Sequence, residues 1–386
     1  MKIGIITFFD NGNYGSELQS LAMNDYLASK GHNAVFIKVK AKNKFLRALE
    51  LLVDRIRKTY ILRKDSELFL YNKDRESNQT KQRNISPDLR KKIHEFMAGR
   101  VTMERVPRCA FPPKRGIDAF ICGSDQVWSA LRIPLAPEFF LTNVPSSRKI
   151  AYAPSLGIDE MPKFFQNKAG KYIKDFKHLS VREDAAKDTL RKKFGIDAVQ
   201  VLDPTMLVGK EYWEEQLEKA HIQKPLFEYV FCYFLGEVPD VVLSVINQLA
   251  TGKKVIMLPY EEDSKRVSNG LYQEADPLDF VNLIKFADCV LTDSFHGCVF
   301  SVLYGKRFVV TKRTHVGRVS QTSRIKSLLR MAHQEERFCS EKEDIERLLT
   351  QDIDSQTVED EICKMQTVSR DFLDNALIEV ASNINR

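Results

Sequence analysis

The chain has 386 residues, more than one hydrophobic core ordinarily supports, so two domains are expected. Its hydrophobic fraction of 43% and charged fraction of 29% fit a folded globular protein and exclude a fibrous or disordered chain. The net charge of +7 is modest, and no apolar run approaches the roughly 20 residues that cross a bilayer.

The first half of the chain alternates strand-like and helix-like segments, which predicts a parallel sheet with helices on both faces. The segment KIGIITFF is interpreted as a first strand and not as a signal peptide, because it ends at Asp10 in a Gly/Asn turn. The other elements predicted here are a helix over 17–28, strands at AVFIKV, DAFIC, KIAYAPSLG, HLSV and AVQVLD, and a helix over 184–194. We expect this N-terminal Rossmann-like domain to span residues 1–205.

A basic stretch, predicted to be a helical insertion over about 42–115, interrupts this alternation. Between Lys42 and Arg115 there are 20 Lys and Arg residues against 9 Asp and Glu residues. Two explanations stay open: a solvated helical face, or a surface that meets phosphate on an anionic membrane leaflet or a lipid diphosphate. Nucleic acid is not expected as a partner, because no base-stacking motif accompanies the charge.

A second alternation follows the linker-like stretch 205–227. It predicts strands at YVFCYFL, KKVIML, CVLT and RFVV, with helices over 238–250, 278–286 and 297–304. We expect a C-terminal Rossmann-like domain over 206–340 and a helical tail over 341–386 that packs back across both domains. The predicted fold class is therefore α/β, with two doubly wound Rossmann-like domains facing a cleft. Ligands of such sheets bind beyond the carboxyl ends of the strands, so the residues that follow the strands are the candidate site.

The turn after the first strand, DNGNYGS, is the first candidate. Asn13 and Gly15 can adopt conformations that let a ligand approach the backbone closely, and Ser16 can cap the next helix, whose amino end attracts anions. A plain strand–helix turn is the alternative. The turn is not GxGxxG and no acidic residue ends the second strand, so a dinucleotide site is not supported.

Polar residues also follow the DAFIC strand and the HLSV strand. Ser124, Asp125 and Gln126 can hydrogen-bond sugar hydroxyls, and Trp128 offers a stacking face; Asp125 could instead only cap a helix. Arg182 stands where a strand gives way to a helix, and a guanidinium there can hold a phosphate or carboxylate with two hydrogen bonds. A salt bridge to a neighbouring carboxylate is the alternative for this arginine.

The stretch LTDSFHGCVFSVL puts a histidine in the first turn of a helix. Ser294 is a cap-type residue, His296 follows it, and Gly297 lets a ligand or another backbone come close. Imidazole at a strand end in a cleft-forming domain suits general acid–base work. A purely structural histidine is the alternative. The histidines and seven cysteines show no metal-ligand or CxxC spacing, so neither a metal site nor a disulfide is predicted.

Taken together, these stretches resemble the polysaccharide pyruvyl transferase family. The similarity lies in collinear blocks over about residues 1–330: GNYGSELQS, FICGSDQVW, YAPSLG, SVRE, VLDPTML, LTDSFHGCVFSVLYGKRFVV and SRIKSLL. It implies a fold like that of GT-B glycosyltransferases, with the acceptor on the N-terminal and the donor on the C-terminal domain. It also implies transfer of pyruvate from phosphoenolpyruvate onto a sugar of a capsule or exopolysaccharide, or its lipid-linked precursor. The product is a cyclic ketal, phosphate is released, and no cofactor is used.

The resemblance assigns roles to individual residues. His296 is expected to be the acid/base catalyst, Asp125 a second base or an acceptor-positioning group, and Arg182 an anion clamp. Some relatives have Arg at the position of Ser294, so here another cation must meet the donor's charge. Arg324 is the first candidate, followed by Lys312, Arg313 and Arg318.

Two other functions stay open. A GT-B glycosyltransferase would use a nucleotide sugar, but its spaced pair of glutamates is not apparent, since Glu261 and Glu262 are adjacent. A non-catalytic sugar- or lipid-binding protein on the same scaffold is the second alternative. The expected partners are phosphoenolpyruvate, a sugar acceptor and, through the basic stretch, an anionic membrane, with a cytoplasmic location at the inner membrane face.

Overall fold

The computed structural model of the protein describes residues 1–39, 44–64, 85–113, 116–129, 136–157, 161, 163–313 and 322–384. Its strands are β1 (Lys2–Ile6), β2 (Asn33–Val39), β3 (Met103–Val106), β4 (Ala119–Cys122), β5 (Lys149–Ala151), β6 (His178–Val181), β7 (Val199–Gln200), β8 (Tyr229–Tyr233), β9 (Lys254–Leu258), β10 (Gly270–Leu271), β11 (Cys289–Thr292) and β12 (Arg307–Val310). Its α-helices are α1 (Tyr14–Ser29), α2 (Lys44–Lys64), α3 (Pro87–Ala98), α4 (Lys163–Ile173), α5 (Asp184–Phe194), α6 (Pro204–Leu207), α7 (Lys210–Lys219), α8 (Asp240–Leu249), α9 (Glu261–Ser264), α10 (Pro277–Phe286), α11 (Phe295–Leu303), α12 (Ser323–Met331), α13 (Lys342–Thr350) and α14 (Ser355–Ile384).

Two parallel sheets organise the described part of the chain. The first has the order β3-β2-β1-β4-β5-β6-β7, and the second has the order β10-β9-β8-β11-β12. In each sheet the order reverses beside its first strand in the sequence, β1 or β8, as it does in doubly wound folds. The predicted fold class, α/β with two doubly wound Rossmann-like domains, is therefore confirmed.

The central strands are recognisable in the sequence because helices cover both of their faces. Every residue of β4, β8 and β11 is buried, so each strand is a continuous apolar run rather than an alternating one. The predictions for β11, for β12 and for α5 agree with the structure at both ends of each element.

The stretch predicted as a basic helical insertion is only partly helical. It contains α2 and α3, but Met103–Val106 forms β3, which pairs in parallel with β2 at the edge of the first sheet. The strand MERV was missed because it is short and has polar residues at its centre, and because an edge strand needs little apolar surface. Residues 65–84 of the predicted insertion lie outside the described residues.

The C-terminal helices pack against both sheets. Ile345 and Leu348 of α13 are buried in the core that includes β8, β9, β11 and β12. Leu373 and Val380 of α14 are buried in the core that includes β1 and β4. The domain boundaries near residues 205 and 340 stay a prediction. No helix in the described ranges is both long enough and apolar enough to cross a membrane.

Candidate active site

The candidate site lies where the carboxyl ends of strands from both sheets meet. Asp203 follows β7 of the first sheet, while His296 follows β11 of the second sheet. Nε2 of His296 is 3.6 Å from Oδ1 of Asp203. This contact joins the two domains at the edge where doubly wound sheets bind their ligands.

Asp203 is the centre of a buried polar network. Its Oδ2 accepts hydrogen bonds from Arg182 Nη1 at 2.7 Å and from Ser124 Oγ at 2.9 Å. Its Oδ1 accepts from the backbone N–H and the hydroxyl of Thr205, because Asp203 caps the short helix α6. Burial alone would raise the pKa of Asp203, but His296 and Arg182 hold that pKa well below its usual range. Asp203 is therefore a permanent negative charge in the site.

His296 occupies the first turn of α11. The helix is capped by Ser294, whose Oγ accepts from the N–H of Gly297 at 3.5 Å. The imidazole is 6% exposed, and its Nε2 has no hydrogen-bond partner among the described residues. A Cβ at Gly15 would lie 1.9 Å from His296 Nδ1, so the ring fills the space that this glycine leaves free. The histidine is buried, but against a carboxylate and a helix amino end and not in an aliphatic core.

Two arginines lie close to the Phe295 ring. The guanidinium of Arg182 is 4.1 Å from the ring centroid, and that of Arg324 is 5.9 Å from it. Both side chains are buried, and Arg182 Nε and Nη2 and Arg324 Nε have no hydrogen-bond partner among the described residues. Buried donors without partners are costly, so this cluster is suited to receive acceptor oxygens from a ligand.

Arg324 differs from the two neighbouring arginines, Arg182 and Arg313, in having no carboxylate partner among the described residues. Arg182 pairs with Asp203, and Arg313 pairs with Asp293. Arg324 forms no ion pair with a carboxylate in the described ranges. Burial lowers the pKa of Arg324 from its ordinary value, and the charges of Arg313 and Arg182 lower it further. It still carries its charge at neutral pH, and a buried charge of this kind is stabilised by an anion.

Asp125 and its neighbours lie at the end of β4. Asp125 has a φ of +67° and accepts hydrogen bonds from Ser16 Oγ at 3.0 Å and Gln126 N at 2.8 Å. Its Oδ1 is 3.9 Å from Arg182 Nη2. Gln126 is half-buried, and its Nε2 has no partner among the described residues. The contact with Arg182 places Asp125 beside the two arginines.

Several predicted ligand contacts are instead structural. Trp128 is 1% exposed, stacks on Phe140 at 5.6 Å and donates from Nε1 to the carbonyl of Phe139, so the predicted sugar-stacking role is wrong. Gly297 lies against Thr292, where a Cβ would come within 2.5 Å of Oγ1, and this contact explains its small size. The aromatic ring was assigned to a ligand because sequence alone does not show which face of a turn the core covers.

The turn after β1 also differs from expectation. The cap of α1 is Asn13, which accepts from the N–H groups of Gly15 and Ser16, and Ser16 lies inside the helix. Gly15 accommodates His296 and not a ligand backbone approach. Glu17 is fully buried and accepts hydrogen bonds from the N–H groups of Asp10 and Asn11, which holds this turn in place.

Asp203 and Phe295 were not predicted as site residues from the sequence. Asp203 lies three residues after β7 and Phe295 is next to His296, so position near a strand end was the available signal. Three further cations were predicted as candidates after Arg324. Arg313 is bound to Asp293, Lys312 is exposed, and Arg318 lies outside the described residues. Among the described residues, no group of three His, Cys, Asp or Glu side chains is arranged to hold a metal ion.

Comparisons with known proteins identify the family and support the fold. The family model described as "Polysaccharide pyruvyl transferase" matches residues 13–315. UDP-N-acetylglucosamine 2-epimerase from Rickettsia bellii is similar in structure, with 10% identity, a TM-score of 0.51 and coverage of 100% of this chain and 98% of that chain. A variant of the wall teichoic acid polymerase TagF is similar at 10% identity and a TM-score of 0.50, over 100% of this chain and 89% of that chain. These two structures support the fold alone, and no curated protein matches the sequence.

Proposed function

The chain belongs to the polysaccharide pyruvyl transferase family, and from that premise we propose that it transfers pyruvate from phosphoenolpyruvate onto a sugar of a surface polysaccharide or its lipid-linked precursor. The product is a cyclic ketal, and inorganic phosphate is released. The observation that carries the donor assignment is Arg324, a buried cation with no ion pair among the described residues.

The donor is a small, highly charged anion with a phosphate and a carboxylate. Arg324 supplies an unneutralised positive charge, and Arg182 supplies two donor nitrogens, Nε and Nη2, without partners in the described structure. The amino end of α11 adds its N–H groups and the positive end of the helix dipole. This combination favours a compact polyanion over a neutral sugar.

The proposed reaction balances without a further reactant. Protonation of the methylene carbon of phosphoenolpyruvate makes the adjacent carbon oxocarbenium-like, and the first sugar hydroxyl attacks that carbon. The second hydroxyl then displaces phosphate from the same carbon and closes the ketal ring. One of the two hydroxyl protons replaces the proton that the catalyst donated to the methylene carbon. The other hydroxyl proton leaves with phosphate.

His296 is the proposed acid and base for these transfers. It is the imidazole at the domain contact, and Asp203 lies 3.6 Å from its Nε2. The carboxylate stabilises the imidazolium that forms when the ring takes a hydroxyl proton, and the neutral ring forms again when the proton is delivered. Positioned acid–base catalysis of this kind contributes roughly 10²–10⁴-fold to a rate.

The acceptor is proposed to enter on the side of the N-terminal domain. Asp125 lies there beside Ser16 and can accept a hydrogen bond from a sugar hydroxyl. An open cavity of about 660 Å³ adjoins the turn after β1 and is lined by Arg90, Lys91 and His94, among others. Arg90 and Lys91 in this lining can contact the phosphate of an acceptor.

The alternative is a glycosyltransferase that uses a nucleotide sugar, and the GT-B fold favours it only in the sense that the fold is shared. The two functions separate when the purified protein is incubated with phosphoenolpyruvate or with UDP- and GDP-sugars across a panel of acceptor glycans. We expect phosphate release and a ketal in the product with phosphoenolpyruvate only. His296→Ala should lose about 10²–10⁴-fold in rate. Transfer from a nucleotide sugar, or ketal formation by the variant at the wild-type rate, would contradict the proposal.

A further inference from the structure

We propose that α2 is an interfacial helix that docks the protein on the surface of an anionic bilayer. The helix spans Lys44–Lys64 and is 21 residues long, or roughly 30 Å. Its large apolar side chains are exposed to an unusual degree: Phe45 is 77% exposed, Ile56 60% and Leu52 53%. Exposed apolar side chains are ordinary when they are scattered, but not when they line up along one element.

Most of the exposed apolar side chains lie on one face of the helix, and Leu51, which is 61% exposed, lies outside that face. Phe45, Leu49, Leu52, Val53 and Ile56 lie at spacings of four, seven, eight and eleven residues from the first. At 3.6 residues per turn these five positions fall within about 100° of arc, the width of an apolar face that normally packs on a core. In the part of the chain that the structure describes, this face is exposed instead of packed.

The charge of the helix is complementary to anionic lipid. The sequence Lys44–Lys64 contains seven Lys and Arg residues and two Asp and Glu residues. Arg55 lies outside the apolar stripe and is exposed. A helix with one apolar face and a basic remainder lies in the plane of a membrane, with the apolar face among the acyl chains and the cations at the phosphates. Nine charged residues make a spanning orientation unsuitable, in agreement with the absence of a described membrane-crossing helix.

The helix follows the carboxyl end of β2, which is the edge of the sheet that carries the candidate site. Val39 ends β2, and because all strands of the first sheet are parallel, this end lies at the same edge as the turns after β1 and β4. The helix begins five residues later, at Lys44. Docking through α2 therefore brings the edge that carries the candidate site towards the bilayer surface. The idea of a lipid-linked acceptor depends on the proposed function. Lipid binding by α2 does not depend on it.

The experiment measures binding of the full chain to vesicles by co-sedimentation. We expect binding to phosphatidylcholine vesicles that contain phosphatidylglycerol, weaker binding as salt rises, and little binding to phosphatidylcholine alone. The double variant Leu52→Glu and Ile56→Glu should lose at least about tenfold in lipid affinity. The matched control, Leu226→Glu and Ile378→Glu, removes two apolar side chains that are at least as exposed but lie elsewhere in the chain, and it should bind like the wild type.

Three results would overturn the proposal. They are equal binding by the two double variants, binding that is insensitive to both salt and lipid charge, and a dimer in solution that the α2 variant dissociates, which would identify a second copy as the occupant. Pyruvyl transfer to a soluble acceptor is measured on the same samples. The α2 variant should retain it, so failure of lipid binding and failure of the proposed reaction appear in different measurements.

Discussion

Arg182 and Asp203 form a buried ion pair, with Nη1 2.7 Å from Oδ2, and their side chains are 3% and 0% exposed. The pair fixes the ends of β6 and β7, and Asp203 also faces His296 across the domain contact. One carboxylate thus positions a cation of the first domain and the histidine of the second. The ion pair mainly fixes the geometry of the site, because a buried ion pair by itself adds little net stability.

Removing this carboxylate should destabilise the protein strongly. Asp203→Ala leaves Arg182 buried without its close counter-charge, which costs about 3–5 kcal/mol of the free energy of unfolding. The control is Glu359→Ala, which breaks the exposed pair with Lys210 and should cost about 0–1 kcal/mol. Denaturant unfolding of both variants measures the difference. Equal losses would show that Asp203 is not the counter-charge of Arg182.

The space beside Gly15 should be essential for the position of His296. Gly15→Ala places a Cβ where the imidazole now lies, so the ring must shift, and we expect kcat to fall about 10²-fold. Gly99→Ala is the matched control, because it also replaces a glycine in this domain but has no atom within 4 Å of the new Cβ. Steady-state kinetics with phosphoenolpyruvate compare the two. Unchanged kcat in Gly15→Ala would mean that His296 does not need its present position.

Arg324 should increase the affinity for phosphoenolpyruvate without stabilising the free protein. Arg324→Gln removes a buried charge that lacks an ion pair, so the free protein should be as stable as the wild type or more stable. Affinity for phosphoenolpyruvate should fall about 10- to 100-fold, because a charge-assisted contact is lost. Calorimetric titration and denaturant unfolding provide the two measurements. Arg330→Gln, on the exposed side of the same helix, should change neither by much; an unaltered donor affinity in Arg324→Gln would remove this arginine from the donor site.

Glu17 should give the stability a distinctive pH dependence. Burial raises the pKa of Glu17 to about 7, although the N–H groups of Asp10 and Asn11 lower it in part. A carboxyl whose folded pKa is raised from 4.5 contributes stability that is complete below pH 4.5 and is lost as pH rises through 7. The stability of the wild type relative to Glu17→Gln should therefore decrease by up to about 3 kcal/mol across this interval. Unfolding at several pH values tests it, with the exposed Glu215→Gln as control; a constant difference between wild type and Glu17→Gln would contradict the assignment.

Much of the fold could be predicted because its signals are local. The buried strand CVLT and the helix over 184–194 are continuous or periodic apolar patterns that need no knowledge of the rest of the chain. The edge strand β3 could not be predicted in the same way, because its partner β2 lies more than 60 residues away and supplies the pairing. The same difference applies to the site. His296 and Arg182 could be predicted because they stand at recognisable strand ends. Trp128 was misassigned because its burial depends on its contacts with Phe139 and Phe140.

The amino-acid sequence alone determined the two α/β domains, the turns that follow their strands and the residues that those turns carry, since each depends on neighbours along the chain. Only the tertiary structure decided that Asp203 joins Arg182 to His296, that Gly15 makes room for an imidazole, and that Arg324 is buried without an ion pair in the described structure. The physical reason is distance along the chain. These contacts join residues of different strand ends and different domains, and their energies depend on burial, which no local pattern specifies.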